Sequence, residues 1–270
     1  MSRSLHLAEF STPPLDEVVL GVQFEPPQEF RSVNVSEVWN LFKDMYPVVE
    51  DQPLLMPQFE TFGAGFGQAG FQFQFGSAPV GSRQWFVSSD GSSLIQFQSD
   101  RLLTNWRKRP SNSPYPRFDS IMRNFQDNFE KLEIYFDTAF SYDLKINQCE
   151  VSYINVIPLE SFSDAVNWLS LCGNGFDGAE TLSLNFSKVI SNESNAPFAR
   201  LVVTVQSVLL SDTNGPAVNL TLTVRGLPSG EGISGARNFF ECAREKIVET
   251  FSTVTTPTSH AYWGRFDAGK

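Results

Sequence analysis

The sequence predicts an α+β protein made of two units with the same element order: a strand, a short helix, three or four antiparallel strands and a long helix. Three observations carry this. Phe118, Ile121, Met122, Phe125, Phe129, Leu132 and Phe136 recur at steps of three and four, as do Ala236, Phe240, Ala243, Ile247, Phe251 and Val254. Two long helices with one apolar stripe each follow from that spacing. Each stripe comes after a series of short β-branched or aromatic runs separated by turn residues, the pattern of antiparallel strands. Each series also opens alike, with EVVLGVQF from Glu17 closed by Pro26-Pro27 and EVSYINVIP from Glu150 closed by Pro158. The units divide as 1–145 and 146–270 and are expected to form one compact pseudo-twofold domain. A helix with one apolar stripe must cover a sheet with one apolar face.

In the first unit, residues 1–16 read as a polar lead-in arm. After the opening strand, Asn34 or Ser36 caps a short helix carrying Val38, Trp39, Leu41, Phe42 and Met45, stopped by Pro47. Pro53 and Pro57 keep the chain extended. From Gln58 the period becomes two: Phe59 to Phe62, a glycine-rich break, then Phe71, Phe73 and Phe75 alternating with glutamines read as a hairpin. Segments 83–88 and 93–98 flank Asp90-Gly91, a strong hairpin signal. A loop with Pro110, Pro114 and Pro116 leads into the first long helix. In the second unit, Ser161 or Ser163 caps a short helix with Ala165, Val166, Trp168 and Leu169. Strands at 182–190, 200–210 and 218–224 follow, and the second long helix ends at Pro257. The two units share almost no identity, so the repeat is one of pattern.

The composition supports a folded chain: 270 residues, 41% hydrophobic and 19% charged, against about 25% charged in a typical domain. The 25 phenylalanines are assigned mainly to the layer between long helices and sheet, with Phe62 and Phe66 expected to be exposed. A net charge of −10 argues against nucleic-acid or anionic-membrane binding over the whole surface but leaves room for a local basic groove. Cys149, Cys172 and Cys242 form no CxxC pair and read as reduced thiols in a cytoplasmic protein. No export leader and no bilayer-spanning run is expected. The only histidines are His6 and His260, without zinc-ligand spacing, an HExxH or a GxSxG. Each histidine reads as a surface or capping group. No metal, cofactor or catalytic residue is assigned.

Three segments could still carry chemistry. A literal GxGxxG runs from Gly65 to Gly70, but it leads into a strand, where a dinucleotide site requires a helix N-terminus. It reads as a hairpin tip. The densest basic stretch holds Arg101, Arg107, Lys108, Arg109, Arg117 and Arg123, interleaved with Trp106, Tyr115 and Phe118. Arginines pair with phosphate or carboxylate and rings stack on bases, so this region could grip an anionic ligand. The same residues fit a solvated turn at 107–109 with Trp106 filling the core. Finally, Asp16, Glu17, Glu25, Glu150 and Glu160 flank the two opening strands. Carboxylates brought together across a pseudo-twofold could do acid/base work or bind a hard metal, although strand-end acids are usually solvated.

The element order, joined edge to edge, would give one curved sheet with helices on one face, a layout that resembles the TATA-binding-protein-like saddle and the helix-grip folds. The motifs PPLDEVVLGVQF, RQWF, LIQFQ, NWRK, YPRF, CEVSYIN and His260 with Trp263-Gly264 together resemble a sporadically distributed bacterial protein family of about this length, without an assigned activity. That resemblance implies a bacterial, cytoplasmic, single-unit protein and a mobile or defence-associated context. The polar positions it marks are Asn105, Trp106 and Arg107 with Tyr153 and Asn155. The candidate binding residues are therefore Asn105, Trp106, Arg107, Lys108, Arg109, Tyr115, Arg117, Tyr153 and Asn155. The leading expectation is a non-enzymatic interaction protein, antitoxin-, immunity- or defence-accessory-like. Its partner would be a protein, such as a basic nucleic-acid-processing effector from a neighbouring gene, and it could be an oligomer. Direct nucleic-acid binding is not expected. The rival expectation is an enzyme or sensor holding a nucleotide or other anion in the 101–117 region, and a third is a carrier of hydrophobic ligands.

Overall fold

The computed structural model describes residues 7–63, 82–109, 114–173 and 178–267. The opening strands of the two sequence units, β2 (Leu15–Phe24) and β7 (Ile146–Pro158), lie side by side. They run antiparallel with Val18 opposite Tyr153, Leu20 opposite Val151 and Val22 opposite Cys149. Outward from β2 stand β6 (Arg101–Arg107), β5 (Ser93–Gln98), β4 (Arg83–Val87) and β3 (Val48–Gln52). Outward from β7 stand β10 (Pro216–Gly226), β9 (Pro197–Leu209) and β8 (Ser183–Ser191). Among the described residues these nine strands make one antiparallel sheet in the order β3-β4-β5-β6-β2-β7-β10-β9-β8. In each half, the strand that leads into the long helix pairs with the strand that opens the half.

Strand alternation gives this sheet two unlike faces. Val18, Leu20, Val22 and Phe24 of β2 point the same way as Leu102 of β6, Val151 of β7 and Leu222 of β10, and all are buried. Over them lie α2 (Phe118–Phe140) and α4 (Gly232–Val254), whose stripes of Phe125, Phe129, Phe136, Phe239, Phe240 and Ile247 are fully buried. Phe125 meets Phe240 edge-on at 5.0 Å, joining the two helices. The sequence-predicted stripes thus form the core as expected. The tight Asp90-Gly91 turn also stands, with Gly91 at φ +70, where glycine has no Cβ penalty. At Gly226 a Cβ would sit 2.2 Å from the Phe198 carbonyl oxygen, so the β9–β10 approach requires glycine.

Several expectations change. Segment 101–107, to which no element was assigned, is a central strand, because it pairs with β2 and β5 along its length. Segment 48–52 adds an edge strand. Residues 59–62 form no strand, and the rest of that expected hairpin, with the Gly65–Gly70 motif and Phe66, lies outside the described residues. The first helix, α1 (Val35–Asn40), is short, as is its counterpart α3 (Ala165–Trp168), and Met45 is exposed beyond α1. The lead-in arm is also structured. Within it, β1 (Ala8–Phe10) pairs with β11 (Arg265–Asp267) near the other end of the chain. Pro257 stops α4 by starting a new helix, α5 (Pro257–Tyr262), with Thr256 accepting from the Ser259 N–H. Phe10 packs edge-on against Phe251 at 5.4 Å and Trp263 at 6.2 Å, fixing the arm across the end of α4. No helix among the described residues is long and apolar enough to cross a membrane.

Candidate functional site

The arm, α4 and the central strands leave a cavity between them on the helix-covered side. The space between them is about 560 Å3 with the adjoining open solvent included. Leu15, Leu222, Ile247 and Phe251 supply apolar walls, and Tyr115, Tyr153, Asn155, Arg117, Arg244 and Glu9 supply the polar groups. Tyr153 stands on β7 and is 7% exposed; its hydroxyl lies 3.4 Å from that of Tyr115, which packs on Trp106 at 5.2 Å. Burial raises both phenol pKa values, and Arg244, hydrogen-bonded to Tyr153, counteracts this. Two neutral hydroxyls thus face the cavity interior at any physiological pH. Arg244 also stacks on Phe118 at 5.0 Å. Arg117 lies 3.5 Å from Glu9 and donates to the Phe10 carbonyl at 3.4 Å. Its backbone has φ 69 and ψ 155, a region other residues than glycine occupy at a cost of about 1–3 kcal/mol. The lining therefore carries two guanidiniums against one carboxylate.

The helix-free face is polar. Glu17 accepts from Asn105 Nδ2 at 2.6 Å, Asn105 Oδ1 accepts from Gln96 at 3.1 Å, and Gln96 Oε1 accepts from Arg83 at 2.7 Å, a chain running across β2, β6, β5 and β4. Burial raises the Glu17 pKa against the opposing pull of Asn105. Residues 53–62 cross this face. Gln98 bonds both backbone groups of Leu55 at 2.9 Å, and Gln23 does the same at Gln58. Glu60 then pairs with Arg200 at 2.7 Å. Prolines 53 and 57 prevent this segment from becoming a strand, so glutamine side chains take the place of a ladder. Phe62, expected in the open, is half-buried against Arg200 at 5.6 Å.

The nine sequence-predicted residues are thus divided. Asn105 and Arg107 point to the helix-free face, and Trp106, one step along the strand, points to the helices. Lys108 is exposed, its N–H bonded to the Asp16 carbonyl, and Arg109 bonds the Lys108 carbonyl. Tyr115, Arg117, Tyr153 and Asn155 meet at the cavity, where Asn155 Nδ2 donates to the Leu220 carbonyl at 3.0 Å. Arg244 and Glu9 complete that site, and no local pattern marks them because they come from α4 and the arm. The acids flanking the opening strands do not converge: Glu17 lies opposite Ile154, and Glu150 lies opposite Gly21 and pairs with Arg225. His260 is buried, not a surface group. Arginine can only donate, so His260 Nδ1 accepts from Arg265 at 3.1 Å and Nε2–H donates to Thr255 Oγ1 at 2.8 Å.

No family model matches the chain, and no curated protein does. Among solved structures it is similar to the di-domain ARO/CYC StfQ from the steffimycin biosynthetic pathway. That match has 9% identity over 92% of this chain and 97% of the other, with a TM-score of 0.21.

Proposed function

We propose that the protein is a non-enzymatic binding protein that holds a small molecule with an apolar body and an anionic head in the cavity beneath α4. The observation that carries this reading is the part-buried Tyr115–Tyr153 hydroxyl pair between largely apolar walls, with Arg117 and Arg244 at its edge. An apolar pocket with a few convergent polar groups is the usual form of a small-molecule site. The same reading takes the two halves as pattern repeats, 1–145 and 146–270, in a TATA-binding-protein-like or helix-grip-like arrangement. The identical placing of the pre-helix strand in both halves supports it.

The test is calorimetric titration with octanoate, with octanol as the uncharged control, after mass spectrometry of any molecule that copurifies. Octanoate is expected to bind saturably and more tightly than octanol. Tyr153→Phe is expected to weaken it about tenfold, the value of one hydrogen bond to a charged group. No copurifying molecule together with no saturable binding of either probe would refute the reading.

A second reading has its own observation. The outer strand β3 exposes Val48 and Val49 beside exposed Met45, on a protein of net charge −10. An edge unpaired among the described residues, with apolar side chains, suits addition of a partner strand. This supports a cytoplasmic antitoxin-, immunity- or defence-accessory role toward a basic protein partner encoded nearby. Val49→Lys should abolish copurification of such a partner while leaving the melting temperature unchanged.

A further inference from the structure

On the helix-free face, Trp85 of β4 has two arginines near its ring, and among the described residues no carboxylate pairs with either at contact. The Arg83 guanidinium carbon is 5.7 Å from the indole centroid and that of Arg107 is 5.5 Å. Arg83 spends one Nη on Gln96, and Arg107 spends one on the Gly91 carbonyl at 3.2 Å. What remains is unusual: Arg83 Nε, Trp85 Nε1 and Arg107 Nε are all buried and, among the described residues, lack a hydrogen-bond partner. A buried donor left unmade costs about 1–3 kcal/mol, more when it is charged. All three orphaned groups are N–H donors, one on the Trp85 ring and one on each arginine beside it. Donors alone call for a ligand rich in acceptors, and two guanidiniums call for negative charge.

We propose that Arg83, Trp85 and Arg107 form a binding site for a phosphate group, either free or as a phosphate ester. A phosphate offers at least three acceptor oxygens to match the three donors, whereas a carboxylate offers two. Asp16, Glu17 and Glu50 lie in the electrostatic field of Arg107, and Arg109 and Arg101 act in the opposite sense on Arg107 and Arg83. Glu17 is directed at Asn105, so it does not fill the site. The site stands apart from the cavity beneath α4, on the opposite face of the sheet.

The test is calorimetric titration of the full-length protein with inorganic phosphate, adenosine monophosphate and acetate at constant ionic strength. Phosphate is expected to bind saturably and acetate is not. Equal affinity for the two phosphates identifies a free-phosphate site, and tighter binding of adenosine monophosphate identifies a phosphate-ester site. Arg83→Gln and Arg107→Gln should each weaken binding about tenfold or more, the loss of one charge-assisted hydrogen bond. Trp85→Phe keeps a ring, removes one donor, and should weaken it several-fold. Arg237→Gln, on the exposed side of α4 and paired with Glu241, should change nothing. Circular dichroism checks folding, and if an arginine variant unfolds, Trp85→Phe decides. Absence of saturable phosphate binding, acetate binding equal to phosphate, or site variants that bind like wild type would each overturn the proposal.

Discussion

One face of the sheet is roofed by α2 and α4 and packed with phenylalanine; the other carries glutamine, asparagine, threonine and arginine, bridged by an extended segment of residues 53–62. On the roofed face, side chains are satisfied by contact alone. Phe125, Phe129, Phe136 and Phe240 need no specific partner, only excluded water and close packing. On the other face, the buried polar side chains must each find a hydrogen bond. Most do, through the Glu17–Asn105–Gln96–Arg83 chain and the glutamine clasps on Leu55 and Gln58. On the polar face the N–H donors at Arg83, Trp85 and Arg107 remain unmatched among the described residues. The roofed face admits polar groups at two places, the tyrosine pair with Asn155 and a buried cluster where Asn128 of α2 donates to Thr104 and Tyr46. Stability is thus expected to reside mainly on the first face, and unspent hydrogen-bonding capacity on the second.

The sharpest way to break this contrast is a paired substitution. Phe240→Ala removes a fully buried ring that meets both helices and is expected to cost about 3–5 kcal/mol in urea unfolding. Ser152→Ala on the helix-free face loses the 2.8 Å bond to Thr223 and should cost about 0.5–1.5 kcal/mol. Equal costs would erase the distinction between the faces.

A second measurement probes the polar face through pH. The Glu17 carboxyl is held above its ordinary 4.5, chiefly by burial. The folded state therefore binds this proton more tightly than the unfolded chain, and stability falls as pH rises from 4.5 through the folded value. Glu17→Gln should remove that fall, seen as a flatter unfolding free energy over the same range. An unchanged pH profile would place Glu17 in water.

The smallest effect is expected at the closure of the arm. Burial and the Arg265 charge lower the His260 pKa from 6.5. Here the unfolded chain binds the proton more tightly, so stability is lost as pH falls from 6.5 through the folded value. His260→Gln should flatten the melting temperature across that window, and a variant as acid-sensitive as wild type would remove His260 from the account.

Much of the architecture was legible because it rests on period. The stripes from Phe118 to Phe136 and from Ala236 to Val254, the Asp90-Gly91 turn and the two Glu-Val strands all state their geometry locally. The segment from Arg101 to Arg107 did not, because its charges disguised a central strand whose pairing with β2 lies far away in sequence. The arm was hidden for the same reason: Phe10 has no partner until Phe251 and Trp263 are brought to it.

The candidate site shows the division most plainly. By itself, the sequence determined that arginines, tyrosines and asparagines cluster around residues 105–117 and 153–155. It could not say that neighbours would part company. Asn105 and Arg107 face away from the helices while Trp106 faces toward them, because successive strand residues point to opposite faces. Tertiary structure alone decided that Tyr115 would meet Tyr153 and Arg244, and that Arg107 would meet Trp85 and Arg83. The physical reason is range: backbone periodicity acts over a few residues and is written in local spacing. A binding site depends on distances between strands and helices, and these are set only when the whole core packs.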